Sequence, residues 1–242
     1  MDNMKDKKVA VIYSTRSMET ANEMAEKINK TCGFNCDIYA IVNAEGVKGL
    51  STLYNESINN DNDENGNRRH DVYVFIHDDI DFLKQGWAAE INRLFNDHKD
   101  YGIIGVAGSA EFDNMGMWWN YPKKYGQVLH RSNGRSWLTA FSPLLDKDLE
   151  EVCVVDGLFI AVQADRISCL FDEQYKFNFY DIAFCLSNFL DGKTKIGVTT
   201  NIRIAHNSVG ELKQEWFENR DKIINQFGKN FPIKLETKKV KK

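Results

Sequence analysis

Four short apolar runs, separated by segments with helical spacing, restrict this chain to few folds. They are Lys8 to Ser14, Cys36 to Val42, Val72 to Ile76 and Tyr101 to Ala107. Each is rich in β-branched or aromatic residues and has strand length. Between them, Ala21, Met24, Ala25 and Ile28 recur at helical spacing behind a Ser17-x-x-Thr20 start. Leu50, Leu53, Tyr54 and Ile58 mark a second helix over 47–58, and Trp87, Ile91, Leu94 and Phe95 a third. Strand and helix in alternation predict an α/β fold with a mainly parallel sheet flanked by helices. The third and fourth runs carry no charge, as expected of strands covered on both faces.

Beyond residue 107 the pattern loosens. Residues 108–150 hold glycines and Trp118, Trp119 and Trp137 with few regular signals. Order returns in VCVVDGLFIAVQ (152–163), a helix from Asp181 to Leu190, the strand KIGVTT, then RIAH and a charged helix from Glu211 to Phe227. No linker interrupts the chain, so one domain over 1–242 is expected. Residues 59–70 contain no apolar side chain and read as a solvated loop, and 234–242 as a disordered tail.

Composition excludes some functions. Thirty-one Lys and Arg against 35 Asp and Glu give a net charge of -4, without the basic excess of a nucleic-acid binder. No apolar run has bilayer length, and no signal-peptide stretch precedes the first strand, so a cytoplasmic location is expected. The Lys-rich end, KKVKK, allows at most peripheral membrane contact, and a solubilising tail explains it better. Five cysteines are expected as free thiols, because no second Cys or His pair completes a zinc site around Cys32 and Cys36.

The third run, VYVFI, ends in His77, Asp78 and Asp79, with Asp81 beyond. Ligands of open parallel sheets bind beyond the carboxyl ends of the strands. Clustered carboxylates beside an imidazole suit a divalent ion such as Mg2+ or Mn2+. The same acids could equally cap the following helix or face water. Downstream, His206 ends an alternating strand, where it is either a ligand or an ordinary hydrogen-bonded histidine. Asp181 opens a helix behind the aromatic run FNFY, which suits a general base in a semi-dry pocket and also an N-cap.

In order and spacing, the segments GLSTLYNESI, VYVFIHDDI, IIGVAGS, VVDGLFIAVQADRI, FNFYDIAFCL and RIAHNSVG resemble glycosyltransferase family 2, in particular its bacterial and phage glycosyltransferase-like branch. The resemblance spans about residues 8 to 210. It implies the GT-A fold, a Rossmann-like sheet with an irregular acceptor-side second half. It also implies a hexosyltransferase-type enzyme of polysaccharide biosynthesis. The enzyme would move a sugar from a nucleoside-diphosphate donor, with UDP the expected nucleotide, to a glycan or lipid-linked acceptor.

By that resemblance Asp79, His77 and His206 hold the Mn2+ or Mg2+, and Asp181 is the base of an inverting transfer. Ser14, Thr15, Arg16 and Asn43 line the nucleoside, and Asn55, Asp78 and Asp156 are further donor contacts. From the residues themselves, Trp118 and Trp119, paired in a loop, suit sugar stacking on the acceptor side and equally suit core packing, and Tyr180 is placed on that side with them. Two residues depart from the pattern: Tyr180 stands where the wider family has Glu, and Ala183 where this branch has an acid. These departures leave room for a non-catalytic sugar-nucleotide or glycan-binding module on the same fold. A nucleotidyltransferase ranks third, because YSTRSMET after the first strand has one Arg and no Gly to cradle phosphates.

Overall fold

A computed structural model describes residues 6–236. The strands are β1 (Val9–Thr15), β2 (Cys36–Val42), β3 (Val72–Ile76), β4 (Ile80–Phe82), β5 (Tyr101–Gly105), β6 (Ala107–Ser109), β7 (Glu111–Phe112), β8 (Lys124–Ser132), β9 (Arg135–Ala140), β10 (Glu150–Val152), β11 (Val154–Val155), β12 (Phe159–Gln163), β13 (Lys195–Val198), β14 (Ile204–His206) and β15 (Ile233–Lys234). The helices are α1 (Met18–Thr31), α2 (Leu50–Asn59), α3 (Trp87–Asp97), α4 (Tyr180–Asp191) and α5 (Gln214–Phe227). Ser17 caps α1 by accepting from the Thr20 amide, as its sequence start implied.

The central sheet has seven strands in the order β10-β13-β5-β12-β3-β1-β2. Five of the seven, β2, β1, β3, β5 and β13, run the same way, while β12 and β10 oppose them. Every residue of β3 and β12 is buried, so the core lies along the middle of this sheet. The reversed direction of β12 matters for function. Phe159 pairs with Ile76, so the turn before β12 reaches the same edge as the end of β3. A second sheet, β11-β6-β8-β14-β4 with β9 on β8, stands beside that edge. In it His206 pairs with Ile80, the residue after Asp79.

Two expectations need correction. The 59–70 loop is exposed over 62–69, but Asp61 and His70 at its ends are buried. Asp61 accepts from His70 Nδ1 at 2.6 Å and from the Tyr73 hydroxyl at 2.8 Å, while His70 Nε2 reaches Asp37 at 2.8 Å. A buried carboxylate is tolerable there because each acceptor has a partner. The start of the tail is also anchored: Lys234 pairs with Glu111, and the Leu235 amide donates to the Ala110 carbonyl at 3.0 Å. The remaining tail, with KKVKK, lies outside the described residues. All five cysteines are free. Among the described residues, no helix is long and apolar enough to cross a membrane.

Candidate active site

Two structural elements bring three side chains to the sheet edge. The loop after β3 carries His77 and Asp79, and β14 carries His206. Potential ligand atoms of His77, Asp79 and His206 all lie within 4.8 Å of one another. His206 Nε2 is 3.3 Å from Asp79 Oδ1 and 3.2 Å from Ser208 Oγ. Burial works against the Asp79 charge, but hydrogen bonds from His206 and Ser208 outweigh it and hold the carboxyl well below the usual range. Burial likewise disfavours the His206 cation, and Asp79 more than reverses this. His77 is pushed the other way, toward the neutral ring, by burial.

Tyr180 fixes the tautomer of His77. Its hydroxyl donates to the Gly157 carbonyl at 3.0 Å and accepts from His77 Nε2 at 3.2 Å. The phenol thus orients the His77 ring beside Asp79 and His206. Two imidazoles and one carboxylate form a borderline donor set, better matched to Mn2+ than to Mg2+.

Asp181 opens α4 behind Phe179, a non-glycine residue held in the left-handed region at φ 66°. Its carboxylate accepts from the Gly157 amide at 2.7 Å and the Ile182 amide at 2.8 Å. Burial, then the nearby Asp156 charge, raises its pKa to about 7. Gly157 is required here, because a Cβ would run into the Tyr180 hydroxyl. An exposed aromatic, Phe177, stands where three cavities meet. One of about 410 Å³ is lined by Ser14, Thr15, Arg16, Asn43 and Asp78, among others. The second, about 230 Å³, contains His77, Asp79 and His206. The third, about 130 Å³, is walled by Trp118, Trp119, Trp216, Asp156 and Asp181.

The family described as "Glycosyltransferase like family" matches residues 9–227 of this sequence. The chain belongs to that glycosyltransferase-like family. Its fold is similar to the crystal structure of GalNAc-T7 with UDP, GalNAc and Mn2+, with a TM-score of 0.57 and 8% identity over 93% of this chain. The chain spans about half, 48%, of the length of that structure. A197 from STIV is a looser likeness, with a TM-score of 0.45 and 10% identity over 84% of this chain and 86% of that one. No curated protein sequence matches the chain. The fold is therefore the GT-A α/β fold.

Within this glycosyltransferase-like domain the expected residues divide into groups. Ser14, Thr15, Arg16, Asn43 and Asp78 share one cavity, and Thr15 is buried there with an unpartnered Oγ1. Asn55 does not join them. Its amide is consumed by the Phe171 carbonyl at 2.8 Å, the Phe171 amide at 3.0 Å and Glu173 at 3.0 Å, so it pins the 171–173 segment. Tyr180 is buried beside His77 with its hydroxyl on Gly157 and His77, and it lines the same cavity as Trp118 and Trp119. Asp81 caps no turn; it holds ion pairs with Lys27 and Arg131. Trp118 is buried, and Trp119 is half-buried against Trp216. The sequence reading missed Trp216, Phe177 and Ser208 as wall and partner residues. Only the aromatic run around 177–180 signalled any of them.

Proposed function

We propose that the chain transfers a hexose from a nucleoside-diphosphate sugar, with UDP as the nucleotide, to a hydroxyl of a glycan or lipid-linked acceptor, with inversion. One observation carries this reading: a cation-ready triad, His77, Asp79 and His206, lies across shared cavity walls from a carboxylate raised to about 7, Asp181. GalNAc-T7, of similar fold, was crystallised with UDP, GalNAc and Mn2+, which supports the same ligand classes here.

The nucleoside fits the cavity of Ser14, Thr15, Arg16 and Asn43, where the unpartnered Thr15 hydroxyl gains a partner. His77, Asp79 and His206 would hold a divalent ion, which would supply positive charge to the leaving diphosphate. Asp156 lines the same cavity as His77 and Asp181. The aromatic walls of Trp119 and Trp216 exclude water and present faces to an acceptor ring. Asp181 takes the proton of the acceptor hydroxyl. The hydroxyl oxygen bonds to the anomeric carbon as the bond to the diphosphate oxygen breaks. A pKa near 7 suits a base that must be ionised before transfer and hold the proton after it.

The test is a screen of UDP-, GDP- and dTDP-hexoses with Mn2+ or Mg2+, read as released nucleotide. Metal-dependent release from one donor series supports the reading. Nucleotide binding with no release from any donor, with or without acceptor glycans, would reduce the protein to the binding module that Tyr180 and Ala183 leave open.

A further inference from the structure

We propose that Asp81 is a positioning residue for the metal centre: without ligating the ion, it holds the strand that carries His206 in register with the loop that carries Asp79. Three side chains from separate elements converge on its carboxylate. Lys27 of α1 reaches Oδ1 at 2.8 Å, and Arg131 of β8 reaches Oδ2 at 2.7 Å. Asn207, next to His206, donates to Oδ2 at 3.1 Å. Asp81 itself lies on β4, two residues beyond Asp79. α1 starts just past the Ser14–Arg16 stretch of the nucleotide cavity, and β8 is half of the hairpin beside His206.

The β4–β14 ladder at this junction is short, and β14 is held on its other side by β8. β4 and β14 are three residues each, paired as Ile204 with Phe82, Ala205 with Asp81 and His206 with Ile80. Two further backbone bonds close the ladder at its ends, from the Asn207 amide to the Asp79 carbonyl at 2.8 Å and from the Leu83 amide to the Arg203 carbonyl at 2.9 Å. A slip of one residue would turn His206 to the opposite face and away from Asp79. Asp81, paired with Ala205, is on the face opposite His206, so its bonds brace the register without occupying the ligand face. Without the carboxylate, the Lys27 and Arg131 charges converge with nothing between them.

This inference rests on the reading of His77, Asp79 and His206 as ligands. The probe is Mn2+ alone, bound to the EDTA-stripped full chain and followed by electron paramagnetic resonance, with Tm measured in parallel. Asp81→Ala should weaken Mn2+ by about tenfold or more, the range for outer partners of metal ligands. Asp81→Asn keeps an acceptor for Asn207 but loses both ion pairs, and should fall between. The control is Asp148→Ala, which breaks a separate junction with Arg93, His98 and Asn201. It should lower Tm and leave Mn2+ affinity intact.

Wild-type affinity in Asp81→Ala overturns the inference, as does an equal loss in Asp148→Ala. If Asp81→Ala does not fold, Asp81→Asn is judged by the same comparison. A wild-type chain that binds no Mn2+, or an Asp79→Ala variant that binds it normally, sinks the ligand reading and this inference with it.

Discussion

Asp181→Asn separates chemistry from stability, and its effect depends on pH. The wild-type carboxyl is raised from 3.8 to about 7, chiefly by burial. Between those values the native state holds more protons than the unfolded state, so stability falls as pH rises through that window. The shift corresponds to about 4 kcal/mol at 1.36 kcal/mol per pKa unit. Asp181 keeps a partly open edge on the cavity, and solvent there reduces the penalty to about 2 kcal/mol. Asn carries no such penalty, although it satisfies only one of the two backbone amides that the carboxylate accepts from. That loss is the same at every pH and cancels in a difference. Urea unfolding of both proteins in EDTA, at pH 5 and pH 9, should show the stability gap moving by about 1 kcal/mol in favour of Asp181→Asn at the higher pH, because the part of the window below pH 5 is already passed. Transfer should be abolished in the variant with nucleotide binding preserved. In wild type, kcat/KM should rise with pH and level off above about 7. A stability gap that does not change with pH, or a variant that turns over at the wild-type rate, refutes Asp181 as a burial-activated base.

Two further substitutions probe separate parts of the molecule. Thr15→Val removes a buried hydroxyl without a partner, so the free protein should be as stable as wild type or slightly more so, while UDP affinity drops several-fold, about 1 kcal/mol by calorimetry. Unchanged UDP affinity would remove Thr15 from the nucleotide cavity. His70→Ala should lower unfolding free energy by about 2 kcal/mol through the buried Asp61 it deserts, at unchanged UDP affinity, because this network stands at the start of β3 and the site at its end.

The parts of the fold that repeat along the chain were legible. The β1, β2, β3 and β5 runs and the apolar stripes of α1, α2 and α3 each follow from local periodicity. What depends on direction or distance was not. FIAVQ reads as a buried strand but not as an antiparallel one, since a run buried on both faces has no period that reveals direction. The same limit hid the loop: Asp61 and His70 look solvated in a polar stretch and are buried because each finds its partner across the fold. At the site, His77, Asp79, His206 and Asp181 came from strand ends and from family likeness. Nothing local says that the Tyr180 hydroxyl turns inward to His77, although its ring lines the cavity of Trp118 and Trp119. Trp216 sits on an ordinary amphipathic helix, and its place in the cavity wall is decided by how α5 packs.

The central claim is that His77, Asp79 and His206 hold an ion that bridges the protein to a nucleoside diphosphate. Titration calorimetry of UDP into the wild-type chain, once in EDTA and once with Mn2+, tests it most directly. The account predicts much tighter binding with Mn2+, lost in Asp79→Ala and His206→Ala. Equally tight binding in EDTA and in Mn2+ would contradict it.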